Sequence, residues 1–80
     1  MRIEKYDGEK PSWPDLWSQP CGTVVVTHDV VNIVCTLERS ANGSWCLVGE
    51  SIPVPTNILA LMTKLALTVA IIPPPDGWNG

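Results

Sequence analysis

His28 stands next to Asp29, and three cysteines, Cys21, Cys35 and Cys46, flank the pair in the central part of an 80-residue chain. A thiol, an imidazole and a carboxylate are the parts of a nucleophilic site. Such a site needs the base within hydrogen-bond reach of the nucleophile and a third group to orient it. Neighbouring residues of a strand point to opposite faces, so His28 and Asp29 would not pair there. Cys21, His28, Cys35 and Cys46 also make up the ligand count of a zinc site. Their separations of seven, seven and eleven residues match no usual zinc spacing, and there is no C-x-x-C pair. Neither H-E-x-x-H nor a Gly-rich phosphate loop is present. The sequence therefore predicts no catalytic residue, no metal and no cofactor. It predicts three buried strand cysteines and a surface or edge histidine.

An odd cysteine count, with no apolar core in MRIEKYDGEK to make a signal peptide, predicts free thiols in a reducing, cytoplasmic setting. The charge excludes one class of partner. Five Lys and Arg against eight Asp and Glu give a net charge of −3, which disfavours a nucleic-acid groove. From Ala41 onward only Glu50, Lys64 and Asp76 are charged. So bare a second half suggests that a second copy or a partner covers part of it.

The length predicts one small domain, 1–80, with a core that is marginal for its size. The most regular stretch is Asn57–Ile72, NILALMTKLALTVAII. Stepped at about 100° per residue, it gathers Ile58, Met62, Leu65 and Val69 in an apolar arc opposite Lys64. Leu67 and Ile71 lie on the polar side, one turn apart. The expectation is one amphipathic helix, capped by Thr56 or Asn57 and stopped by Pro73–Pro75. Its 16 residues, with Lys64 near the middle, fall short of the about 20 apolar residues of a membrane span.

The rest reads as strands. Met1–Lys10 carries six charged side chains and is either an N-terminal arm or an edge strand over Arg2–Tyr6, closed by Asp7-Gly8. Ile3 and Tyr6 favour the strand. Between Pro11 and Pro20, Ser12 and Asp15 have capping-box spacing, and a turn over Trp13–Ser18 would bring Trp13 and Trp17 together. Cys21–Leu37 is rich in β-branched residues and splits into two strands at His28-Asp29, or bulges there. Val31, Ile33, Cys35 and Leu37 should share one face. Asn42-Gly43 marks a hairpin turn with two registers open. A type I turn with a Gly bulge puts Leu37 opposite Leu47, which groups Trp45 and Leu47 with Leu37. It is preferred over the type I′ alternative, and it sets Gly49 opposite Cys35 as a site of close packing. Pro73–Gly80 is a Pro-rich tail, with Trp78 docked on the body or offered outward.

The expected fold is thus α+β: an antiparallel sheet of about three strands, or four, with one helix on one face. The expected function is a non-enzymatic protein-binding module. Four Trp residues in a chain without Phe suit protein recognition. The candidate partner-binding residues are Trp13, Trp17, Trp45 and Trp78, the strand-face set Val30, Val34, Val48 and Ile52, and the pair Leu67 and Ile71. In size, acidity and lack of catalytic motifs the chain is similar in format to small phage-encoded inhibitors of host or defence complexes, such as anti-CRISPR proteins. That resemblance covers no specific residues, and it implies a stoichiometric blocker of a larger complex. The alternative is a small homo-oligomer, in the simplest case a homodimer, that binds a small ligand in a Trp-lined interface pocket.

Overall fold

A computed structural model describes residues 3–10 and 13–78. Arg2 of the expected edge strand and Ser12 of the expected capping box lie outside them. The fold is α+β, with one α-helix and a five-stranded antiparallel sheet rather than three or four strands. The strands are β1 (Glu4–Asp7), β2 (Val24–Asp29), β3 (Val34–Arg39), β4 (Trp45–Leu47) and β5 (Ala66–Ile72), ordered β1-β5-β2-β3-β4. The helix α1 spans Thr56–Leu65 and returns the chain from the β4 edge to β5, between β1 and β2.

The largest correction concerns that helix. The predicted helix over Asn57–Ile72 breaks at Leu65, and Ala66–Ile72 becomes the strand between β1 and β2. Residues 66–72, ALTVAII, are rich in β-branched side chains, which fit a pleated surface. As a strand they pair on both edges, with β1 and with β2. Ala66 is already extended, at φ −65° and ψ 137°, so helix and strand meet without a loop. The cap differs as well. Pro55 occupies the N-cap with no side-chain bond, and Thr56 and Asn57 lie in the first turn.

One cross-strand row runs through all five strands: Glu4, Ile71, Val25, Leu37 and Leu47. Its middle three residues are core, buried with Trp45, Leu59 and Val69. The helix therefore meets the sheet through Leu59, with Met62 packed beside it. Ile58 and Leu65 are exposed, and Val69 belongs to β5. The packing side of α1 is thus rotated from the predicted one, because the helix ends before Val69 can extend the arc.

The hairpin takes the preferred register, Leu37 opposite Leu47 and Arg39 opposite Trp45. Ser40 N–H donates to Ser44 C=O at 2.7 Å, and Gly43 has the positive φ of 88° that the bulge requires. β4 ends at Leu47, so Gly49 does not pair with Cys35. A Cβ at Gly49 would meet open space, and the glycine serves its φ of 88° rather than close packing.

The split at His28-Asp29 is real and makes a longer turn than two residues. The Asp29 carboxylate accepts from the N–H of Val31 and of Ile33, each at 3.0 Å. Asn32 takes the left-handed conformation at φ 63°. Val31 and Ile33 are consequently exposed in this turn, not aligned with Cys35 and Leu37 on a strand.

Candidate functional site

The Asp29 carboxylate is occupied with the backbone N–H groups of Val31 and Ile33, and His28 is an exposed strand residue opposite Val34 and Thr68. Cys35 lies opposite Thr27, on the other face from His28. Cys46 is buried opposite Glu38, and none of the three thiols is in a disulfide. Among the described residues no three His, Cys, Asp or Glu side chains come together as a metal site. Among the described residues no helix is long and apolar enough to cross a membrane.

The candidate recognition residues divide. Trp45 is 1 % exposed and Ile71 is buried beside Val25, so neither belongs to an outer surface that a protein partner could cover. Leu67 and Ile71 do not form a pair. The register of β2 against β5 slips between His28 and Asp29, which pair with Thr68 and Ala66. Leu67 is the extra residue of that bulge and is exposed, while beyond it Val69 and Ile71 turn inward. Val30, Val34, Val48 and Ile52 are all exposed, but they lie in a turn, a strand and the segment after β4 rather than on one face.

The two N-terminal tryptophans part company. The 3₁₀ turn spans only Leu16–Ser18, capped by Asp15, whose carboxylate accepts from Trp17 N–H at 3.0 Å. Trp13 and Leu16 pack against the core. Trp17 is exposed, with the Arg39 guanidinium 5.8 Å from its ring centroid. Arg39 also donates to the carbonyls of Trp17 at 2.8 Å and of Gly43 at 3.1 Å, and to that of Gln19. Trp78 is half-buried against Gly22 and Pro74, so it is docked.

Two surfaces emerge that the sequence did not announce. The first is an aliphatic end. Val30, Val31 and Ile33 of the β2–β3 turn, Leu61 and Leu65 of α1, and Leu67 of the bulge are all at least half exposed. Ile33, Leu61 and Leu65 line one groove of about 90 Å³ over Met62 and Ala66. The available signal was D-V-V-N, an Asp and an Asn bracketing two valines as a turn rather than a strand.

The second surface is a cleft of about 440 Å³ between the Pro14–Trp17 segment and α1, walled by Leu16, Trp45, Leu59 and Ala60, with Lys10 and Lys64 among its polar lining. It shares Lys10, Pro14, Leu16 and Thr63 with a recess of about 100 Å³ lined by Trp13 and Val69. On the helix, Leu61 and Leu65 lie on one side and Thr56, Ala60 and Thr63 on the other. The two surfaces thus flank the sheet-facing side of α1.

No protein-family model, curated protein or solved structure matches this chain.

Proposed function

We propose that this chain is a non-enzymatic protein-binding module whose contact surface is the aliphatic end. The observation that carries the reading is the set Val30, Val31, Ile33, Leu61, Leu65 and Leu67, each at least half exposed. Scattered single apolar residues need no explanation, whereas a cluster of this kind marks an interaction site. Lys64 is the only charged residue of α1, so little on the helix opposes an apolar contact. The sharpest form of the reading is a stoichiometric inhibitor of a larger complex, in keeping with the chain's small, acidic format. A second copy of the chain is the other occupant the surface would accept.

The double variant Leu61→Asp, Leu65→Asp tests this, because both side chains are half exposed and the core does not depend on them. Light scattering across a concentration series reads self-association, and capture from the native host reads a foreign partner. A dimer, or one stoichiometric partner, that the double variant loses supports the reading. Association unchanged by two buried carboxylates would refute this surface.

A further inference from the structure

The cleft beside α1 carries an inference independent of the aliphatic end, which lies on the other side of the helix. Its walls are mostly apolar, and its volume of about 440 Å³ is that of a small-molecule site. Trp45 lines it and is 1 % exposed, yet its indole N–H has no acceptor among the described residues. Trp13, in the adjoining recess, has a second buried indole N–H without an acceptor. Buried donors left unmade are costly, and an indole can only donate.

The charges lining the cleft complete the pattern. Lys10 donates to the carbonyl of Lys64 and sits 5.8 Å from the Trp13 ring centroid. The Lys64 ammonium has no partner among the described residues. The one acid lining the cleft, Asp15, already accepts from Trp17 N–H. Thr63 spends its hydroxyl on the carbonyl of Leu59 at 2.9 Å. Two ammonium groups and two buried indole donors thus face a single carboxylate, set against an apolar wall.

We propose that this cleft binds a small apolar carboxylate. The aliphatic or aryl body lies against Leu16, Leu59 and Ala60, and the carboxylate accepts from Lys64 and an indole N–H. The site lies within one chain, not between two copies.

The test uses the full ¹⁵N-labelled chain and octanoate, with octan-1-ol as the probe of equal body and no charge. The four indole N–H resonances are assigned by single Trp→Phe variants. Octanoate is expected to shift the Trp45 and Trp13 signals saturably, to leave Trp78 unmoved, and to bind about tenfold tighter than octanol. Lys64→Gln should bring octanoate down to the affinity of octanol without changing octanol itself. Equal affinity of the two probes for the unaltered chain would overturn the carboxylate assignment. Failure of the Trp45 signal to saturate, or retention of a long-lived water at that N–H in the presence of octanoate, would overturn the site. Trp45→Phe, checked for folding by its thermal transition, should weaken octanoate binding. Unweakened binding to this folded variant would remove the indole from the site.

Discussion

The indole of Trp78 sits so close to Gly22 that a Cβ built on the glycine would lie 2.6 Å from Trp78 Cδ2. The same Cβ would come within 2.8 Å of Pro74. Gly22 has a second reason to lack a side chain, its φ of 90°. Gly77 shares the positive φ, at 80°, but a Cβ there meets nothing within 4 Å. Gly77→Ala should therefore cost about 1 kcal/mol from backbone strain alone. Gly22→Ala should cost about 1–3 kcal/mol more, because the tail must lift. Denaturant midpoints read the difference, and Trp78 emission should shift to the red only in the Gly22 variant. Equal midpoints would mean that the tail is not docked there.

Leu59 and Leu65 separate the observed packing side of α1 from the predicted one. Leu59 is 5 % exposed and belongs to the core, whereas Leu65 is half exposed. Leu59→Ala should cost about 2–5 kcal/mol. Leu65→Ala should stay within about 1 kcal/mol, as a largely solvated site does. Urea unfolding of both variants checks the order, and a reversal would restore the longer helix.

Arg39 ties the 3₁₀ turn to the β3–β4 hairpin through its bonds to the carbonyls of Trp17, Gln19 and Gly43. Lysine has one charged centre and no planar fork, so it cannot span those acceptors. Arg39→Lys should recover little of the loss caused by Arg39→Ala, which is expected to be about 1–3 kcal/mol. Thermal unfolding with Trp17 emission as the local readout measures both. Full rescue by lysine would show that only the charge matters.

The β2–β3 turn rests on the Asp29 carboxylate and on the left-handed Asn32. Asp29→Ala should destabilise by about 0.5–2 kcal/mol, by analogy with the loss of a side-chain cap, and Asp29→Asn by less. Asn32→Gly should be neutral or stabilising, and Asn32→Val should cost more than about 1 kcal/mol. Amide exchange at Val31 and Ile33 reports the turn directly. Unchanged exchange in Asp29→Ala would exclude the carboxylate as its organiser.

The thiols differ in access rather than in pairing. Cys46 is buried, whereas Cys21 and Cys35 are partly exposed. A small aromatic disulfide reagent should titrate Cys21 and Cys35 first in the folded chain, and all three after denaturation without reductant. Finding one thiol in the denatured, unreduced chain would establish a disulfide.

Local chemistry by itself determined several pieces of this protein. Asn42-Gly43 dictates a hairpin, and the grouping of Trp45 and Leu47 with Leu37 favours the bulge register that the fold adopts, because one slip would exchange the faces. The density of Val and Thr around residues 23–27 dictates a strand, and the charges of the N-terminal segment leave it an arm or an edge strand, of which Glu4–Asp7 is the edge strand. What the tertiary structure decided is the fate of Ala66–Ile72. In isolation LALTVAII satisfies a helical period and a strand period alike, and the helical pattern runs on unbroken from Asn57. As a strand it fills the slot between β1 and β2, with ladder bonds on both sides and Val69 and Ile71 in the core. That gain comes from residues between 37 and 67 positions away, which no local window contains. The same long-range choice shortens α1, turns Leu59 rather than Leu65 to the sheet, and leaves Leu61, Leu65 and Leu67 facing water. Both candidate sites are consequences of it, because each is built from one side of the shortened helix and a segment that only the folded sheet brings alongside.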